Sequence, residues 1–204
     1  MFYGPAAAEF AKSDPTEIAR AANRQGYSYY GVVAGDPWTI RWSQALQGWE
    51  DVRHNDPTMT ARLLSAARQR KRHLGVLSEL GVAIPNHSSF IGASAFEPEA
   101  TVLYDRVQFV DGTPISQTYT PKLLKRLGSI LNTYLEMCTH SLDKQYMSDV
   151  FDTGQYFIDA ANEAITLIDI EPLLLNLNSQ DERAKSVLDD NHTMLEYYMQ
   201  GELW

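Results

Sequence analysis

The sequence predicts a mainly α-helical, bundle-like protein with a small central β-hairpin insertion at about residues 82–120. Three observations predict this fold class. Asp-Pro pairs mark helix starts in the first third, a middle stretch rich in proline has strand composition, and apolar residues then recur at helical spacing. The chain thus divides into an N-terminal helical part (1–81), the insertion (82–120) and an acidic C-terminal helical part (121–204). We expect the two helical parts to form one compact domain.

Three Asp-Pro pairs mark the predicted helices of the N-terminal part. Asp accepts hydrogen bonds from free backbone amides as an N-cap, and proline suits the first helical position because its missing N–H needs no partner there. The pairs are Asp14-Pro15, Asp36-Pro37 and Asp56-Pro57. The helices are predicted at about 15–25, 37–53 and 57–80. The aromatic and β-branched segment 27–33 is either a short strand or an extended apolar linker.

The insertion has the composition of a β-hairpin. Its prolines and glycines exclude a long helix, whereas residues 101–110 are rich in β-branched and aromatic side chains. Asp111-Gly112 follows at once and tolerates the positive φ angles that a tight turn demands. Residues 101–110 and 114–120 are therefore predicted to pair as a hairpin.

The segment from Arg106 to Pro121 carries a local resemblance. Its strings Arg-Val-Gln-Phe-Val-Asp-Gly-Thr-Pro and Tyr-Thr-Pro resemble the hairpin of the UTRA ligand-binding domains of bacterial transcription regulators. The resemblance implies a ligand-binding sheet around this hairpin, and we transfer no functional residue from it. A generic Asp-Gly hairpin accounts for the same residues.

The C-terminal part shows three helical segments. An apolar stripe begins at Pro121 and includes Cys138, whose thiol we expect to be buried and inert. A second stripe over residues 157–168 predicts another helix. The capping-box pattern Ser179-Gln-Asp-Glu182 predicts the start of the last helix, and Gly201 predicts its end.

Charge is strongly polarised along the chain. Residues 127–204 carry three Lys or Arg against 14 Asp or Glu, a net charge of −11, whereas residues 1–126 have a net charge of +2. Such a chain attracts copies of itself head to tail, or a basic protein partner. Because the whole chain has a net charge of −9, we do not expect direct contact with nucleic acid or a membrane.

The predicted interface combines these opposite charges with an aromatic anchor. A basic run lies on the predicted helix 57–80, acidic residues lie on the last helix, and an aromatic tail follows that helix. A solvated helix face is the alternative interpretation of the basic run. Trp38, Trp42 and Trp49 fall on one face of the predicted helix 37–53, as core or interface. The candidate interface residues are Arg68, Arg70, Lys71, Arg72, Asp181, Glu182, Asp189, Asp190 and Trp204.

Two weaker patterns suggest chemistry. The pairs Glu136/His140 and His192/Glu196 each place a carboxylate and an imidazole one helical turn apart, as in bundles that bind metals. No Glu-x-x-His spacing occurs, and solvated i, i+4 contacts account for the pairs more naturally. Asp152-Thr153-Gly154 matches the tripeptide of aspartic proteases, but it falls between two helical stripes, where a helix-ending loop is expected.

The sequence therefore predicts a non-enzymatic assembly protein without a cofactor. Its partners would be other protein subunits, as a homo-oligomer or with neighbouring assembly proteins, for example in a connector, neck or tail-type ring of a virus or phage. The alternative is a helical-bundle protein, enzyme or sensor, that binds a metal or small ligand. Neither a signal peptide nor an apolar run of about 20 residues is evident, so we expect a virion or cytoplasmic location.

Overall fold

The computed structural model describes residues 28–32, 38–43, 58–93, 101–108, 112–159, 163–168 and 174–204. The helices in these segments are α1 (Met59–Glu79), α2 (Ile115–Thr118), α3 (Pro121–His140) and α4 (Glu182–Gln200). The strands are β1 (Ser28–Val32), β2 (Trp38–Ser43), β3 (His87–Ala93), β4 (Thr101–Gln108), β5 (Thr113–Pro114), β6 (Gln145–Met147), β7 (Tyr156–Asp159), β8 (Ala164–Leu167) and β9 (Leu174–Asn176). Two 3-10 turns cover Asp149–Phe151 and Thr153–Gln155.

The predicted fold class, mainly α with one hairpin, is wrong. The described part is a mixed α/β structure with three small sheets. β2 lies inside the predicted helix 37–53, β8 lies inside the helix predicted from the stripe at 157–168, and β7 overlaps the start of that helix. Trp38 and Trp42 are four apart, and residues at that spacing share a face on a strand as well as on a helix, because four is an even number. That spacing therefore could not distinguish the two.

The predicted hairpin at 101–120 is also wrong. β4 pairs with β2 and β3 rather than with the segment after Asp111-Gly112. The chain beyond that pair forms only the two-residue β5, which pairs with β7, and then turns into the short helix α2. Proline lacks the N–H that a strand needs for continued pairing, so Pro114 favours the end of β5.

Three of the predicted helices form, and one of them begins at a different N-cap from the one predicted. α1 and α3 confirm the helices predicted to begin near Pro57 and at Pro121. α4 also forms, but its N-cap is Asp181 and not Ser179 as the capping box predicted. Gly201 ends α4 in the left-handed conformation, at φ +85°, as predicted. The helix predicted at 15–25 lies outside the described residues.

The chain divides into two compact units. The first comprises residues 1–69 and 85–109, and the second comprises residues 70–84 and 110–204. The first unit contains a four-stranded antiparallel sheet in the order β1-β2-β4-β3. At one position the residues that pair across all four strands are aromatic: Tyr29, Trp42, Tyr104 and Phe90. Segment 27–33, ambiguous from sequence, thus contributes a strand.

The core of the second unit lies around α3 and α4. The helices approach closely at Gly128, where an added Cβ would lie 3.0 Å from the Cβ of Tyr198. Thr120 caps α3 by accepting a hydrogen bond from the amide of Leu123. Beside the helices lie the sheets β5-β7-β8 and β6-β9. Ala83 forms an isolated parallel bridge with Thr166 of β8. Its amide nitrogen donates to the carbonyl oxygen of Ile165 at 2.8 Å.

None of the described helices is both long and apolar enough to cross a membrane.

Candidate functional site

The predicted basic surface on α1 is smaller than the sequence suggested. Arg70 is only 7% exposed, so it does not contribute to a solvent-facing surface. Arg72 is exposed but donates to the carboxylate of Asp143 at 2.6 Å, which neutralises its charge locally. Arg68 and Lys71, one turn apart and exposed, have no ion-pair partner among the described residues.

The basic residues at the start of α3 are largely engaged within the second unit. Lys122 pairs with the carboxylate of Glu163 at 3.1 Å. Arg126 donates to the backbone carbonyl oxygen of the same residue at 2.8 Å. Glu163 thus engages both of these cations, which could otherwise have extended the basic surface of α1.

The acidic residues predicted on the last helix have two different roles. The carboxylate of Asp181 accepts hydrogen bonds from the amides of Arg183 and Ala184 and caps α4. Glu182 pairs with Lys185 at 2.9 Å, an exposed pair of little energetic weight. These two residues therefore serve the helix itself.

Further along α4 the carboxylates are unneutralised. We call Asp189, Asp190 and Glu196 the acidic face, because all three are exposed and lack an ion-pair partner in the described segments. No basic residue lies in the last turn of α4, where the helix dipole is negative. The last turn of α4 consequently supplies no positive charge that would compensate this face.

The residues after α4 form a fixed but exposed aromatic tail, Gly201–Trp204. A Cβ added at Gly201 would lie 2.9 Å from the Cβ of Pro121, so the base of the tail packs directly on the start of α3. Trp204 is nevertheless 62% exposed, and Tyr197 and Met199 on α4 are also exposed. Trp204 is therefore not enclosed by a pocket in the described part of its own chain.

The residues proposed as a metal site are solvent-facing. Glu136, His140, His192 and Glu196 are all exposed. Glu136 accepts a hydrogen bond from Asn132 at 2.8 Å, a helical i, i+4 contact. Within the segments that the structure describes, no group of three or more His, Cys, Asp or Glu is arranged to hold a metal ion.

A buried polar network that the sequence analysis missed centres on His73, which is 2% exposed. The hydroxyl of Tyr134 lies 3.0 Å from Nδ1 of His73 and accepts the amide hydrogen of Met147 at 2.8 Å. The thiol of Cys138 lies 3.9 Å from the same Nδ1. We call these three side chains, His73, Tyr134 and Cys138, the His73 network.

The environment keeps the His73 network uncharged. Burial, and secondarily the charge of Arg72, lowers the pKa of His73 to about 4, against a smaller raising effect of Asp143. Burial raises the pKa of Cys138 to about 11 and raises that of Tyr134 above its ordinary value. The Tyr134 hydroxyl also hydrogen-bonds with Cys138, and whether it donates to Nδ1 of His73 or accepts from it depends on the imidazole tautomer. Nε2 of His73 is buried and has no hydrogen-bond partner among the described residues.

Burial alone would raise the pKa of Asp143, the carboxylate nearest to this network. Hydrogen bonds from Ser141 and Arg72 outweigh the burial and lower the pKa. Asp143 thus stays ionised and engaged with Arg72 rather than with His73.

The loop after β6 is held by side chains. Tyr156 donates to the backbone carbonyl of Val150 at 2.5 Å, and Tyr198 donates to that of Phe151 at 2.7 Å. Asn191, 2% exposed, donates to the carbonyl of Ser148 at 3.2 Å. The Met147 amide also donates to the hydroxyl oxygen of Tyr134. Residues 147–151 are thus held from α3, α4 and β7, and we call them the clamped loop.

The protease-like tripeptide directly follows the clamped loop. Asp152 is exposed, and its carboxylate accepts the amide hydrogen of Gly154 at 2.7 Å, capping a 3-10 turn. The tripeptide thus lies in a turn, as expected, but the turn lies between β6 and β7 and does not end a helix.

A periodic signal for His73 was present in the sequence. The spacing of the buried residues Leu63, Ala66, Arg70, His73 and Leu77 is that of one helical stripe. The tyrosines of the clamp gave no such signal, because they are separated by tens of residues and meet only in the folded chain.

No known family model matches this chain, and no curated protein matches it.

Proposed function

We propose that this chain is a non-enzymatic assembly protein that binds a basic surface of other protein subunits through the acidic face and the aromatic tail. One observation carries the proposal: Trp204 is 62% exposed although Gly201 is packed on Pro121. Holding the base of the tail in place lowers the entropy lost when the ring enters a partner's pocket. Aromatic anchors surrounded by polar residues are typical of interface centres.

The partner surface should carry Lys or Arg side chains. Asp189, Asp190 and Glu196 supply complementary charge, which steers association and fixes its register more than it adds affinity. Arg68 and Lys71 of a second copy satisfy this requirement, and such a head-to-tail contact closes into a ring when its rotation allows. A ring subunit of a virus or phage particle has these properties, so we place the protein in a virion or in the cytoplasm.

The first prediction concerns salt and the acidic face. At low ionic strength we expect concentrated protein to form oligomers that dissociate as salt rises toward about 1 M, where charges are screened within roughly 3 Å. Native mass spectrometry and light scattering measure the particle mass across the series. Charge reversal by Asp189→Lys with Asp190→Lys should shift dissociation to lower salt, and Trp204→Ala should weaken association at every salt concentration.

A matched control separates a specific face from overall charge. Glu79→Lys with Glu136→Lys makes the same charge change at exposed carboxylates outside the acidic face and should leave the mass profile unchanged. Truncation before residue 198 is unsuitable, because Tyr198 is 2% exposed and belongs to the core. A strictly monomeric wild-type protein at high concentration and low salt contradicts the self-association arm. If the protein also fails to bind a lysine-rich protein under the same conditions, the proposed binding of a basic partner is contradicted.

A further inference from the structure

α1 carries an exposed stripe on the side that faces away from its buried residues. Its members follow one another at spacings of four, three and four residues, which keeps them on one face of a helix, and all of them are exposed. Leu64 is an apolar side chain that is 43% exposed, and nothing lies within 4 Å of a Cβ added at Gly75. We call the following residues the α1 stripe: Leu64, Arg68, Lys71 and Gly75.

α4 carries a second exposed stripe with the same spacing. It begins at Ser186 and ends at Tyr197, which is 39% exposed. Asp190 lies between them, belongs to the acidic face and has no ion-pair partner among the described residues. We call the following residues the α4 stripe: Ser186, Asp190, Thr193 and Tyr197.

The two stripes are complementary when one of them is reversed, as in a pair of antiparallel helices. The facing residues are then Leu64 with Tyr197, Arg68 with Thr193, Lys71 with Asp190, and Gly75 with Ser186. At one end apolar surface meets apolar surface, and in the middle Lys71 meets the opposite charge of Asp190. At the other end both facing residues are small, which lets the helices approach closely.

Acidic residues beside the α4 stripe extend the match. Arg68 faces Thr193, and Asp189 and Glu196 lie about one turn before and after Thr193 on α4. The long side chain of Arg68 can therefore reach a carboxylate on either side. The two cations of the α1 stripe thus meet all three carboxylates of the acidic face.

The parallel arrangement of the same stripes is less favourable. It places Leu64 against Ser186 and Tyr197 against Gly75, so neither exposed apolar side chain gains an apolar partner. It also sets the two helix dipoles side by side in the same direction, which is repulsive.

We propose that the α1 stripe of one copy of this chain binds the α4 stripe of a second copy in antiparallel orientation. This inference rests on the proposed function and names the basic surface to which the acidic face binds. Because the two stripes are different surfaces of the same chain, each bound copy keeps one stripe free for a further copy. The contact is therefore heterologous and forms a ring where its rotation closes.

Exchanging the charges of one facing pair tests the register. Lys71→Asp or Asp190→Lys alone places like charges opposite each other and should weaken self-association at low salt by about tenfold or more. The double variant Lys71→Asp with Asp190→Lys recreates the pair in reverse in every contact and keeps the wild-type net charge. Its association, measured by light scattering over a concentration series, should return to within about threefold of that of the wild type.

A matched control places the same charge on a neighbouring position. Lys71→Asp with Asp189→Lys also keeps the wild-type net charge, but Asp189 is turned by about 100° around α4 from Asp190. Its association should stay as weak as that of the single variants. A Lys71→Asp with Asp190→Lys variant that stays weak overturns the proposal, and so does equal recovery of the control.

Failure of this inference is distinguishable from failure of the proposed function. A wild-type protein that binds a lysine-rich protein but does not self-associate overturns the pairing of the two stripes. The proposed function survives that result when Asp190→Lys weakens binding of the lysine-rich protein, because the acidic face then binds a basic partner other than α1.

Disulfide formation tests the orientation without depending on charge. Cys138 is the one native cysteine and is buried, so introduced surface thiols react selectively. Under mild oxidation, a mixture of the Leu64→Cys and Tyr197→Cys chains should form a linked 1:1 dimer, which intact-mass measurement identifies. Leu64→Cys with Ser186→Cys is the matched control, because these positions face each other only in the parallel arrangement. Preferential linkage through the Ser186→Cys chain overturns the proposal.

Discussion

Individual buried tyrosines donate hydrogen bonds to buried backbone carbonyls in this fold. The clamped loop places backbone carbonyls of a 3-10 turn inside the protein, and each such group costs free energy unless it is paired. Tyr156 and Tyr198 supply the missing donors. Burial raises the pKa of Tyr198 to about 12 and raises that of Tyr156 as well, so both hydroxyls keep their protons at ordinary pH.

Adjacent tyrosines on α4 allow a test of one such bond. Tyr198→Phe removes the hydroxyl and leaves the carbonyl of Phe151 buried without that donor, so we expect the free energy of unfolding to fall by about 1–3 kcal/mol. Tyr197→Phe is the matched control, because Tyr197 is exposed, and it should change stability by less than about 0.5 kcal/mol. Urea denaturation measures both. Equal stability of the two variants would show that the bond contributes nothing.

Residue-level prediction from sequence was correct for the buried Cys138, but it overestimated the exposed charge of the basic run. The basic run at 68–72 was identified correctly as charged, but its members have different environments: Arg70 is buried, Arg72 pairs with Asp143, and Lys71 is exposed. Which face of a helix is covered depends on neighbours that come from distant segments. The sequence of the run by itself could not indicate which of its residues are buried, paired or exposed.

At the scale of elements, helices were predictable where local signals specify them. Thr120 and Pro121 start α3, and Gly201 ends α4, through contacts within a few residues. Strands were not, since β2 and β4 gain their hydrogen bonds from each other across some sixty residues of chain. A pattern of apolar residues four apart suits either structure, and pairing between distant segments decided it.

Two helical glycines predict opposite effects of the same substitution. Alanine has the higher helix propensity, and nothing lies within 4 Å of a Cβ added at Gly75 on α1, so Gly75→Ala should raise stability by roughly 0.5–1 kcal/mol. At Gly128 on α3 the added Cβ would lie 3.0 Å from the Cβ of Tyr198 and 3.2 Å from the amide nitrogen of Met199. Gly128→Ala should therefore lower stability, by about 1–3 kcal/mol.

Thermal and urea denaturation of the two variants compare them directly. A stabilised Gly128→Ala protein would mean that α3 and α4 do not approach as closely as the structure shows. A destabilised Gly75→Ala protein would mean that this side of α1 is covered.

For the whole molecule, raising the salt concentration should stabilise the folded monomer but weaken association between chains. The carboxylates of α4 repel one another, and raising ionic strength from 0.01 M to 0.15 M shortens the screening length from about 30 Å to about 8 Å. We expect the dilute monomer to gain on the order of 1 kcal/mol of stability over this range, while association weakens. Urea denaturation at low protein concentration checks the first effect. Stability that falls with salt would show that attractions within the chain outweigh this repulsion.

The sequence by itself determined the charge distribution, the three long helices α1, α3 and α4, and the aromatic character of the tail. Each of these depends on composition or on contacts within a few residues. Tertiary structure alone decided that segments 38–43 and 156–167 contain strands, and that Tyr134, Tyr156 and Tyr198 meet at one loop. The physical reason is that sheet pairing and burial join segments far apart in sequence, and no local pattern records which segments will meet.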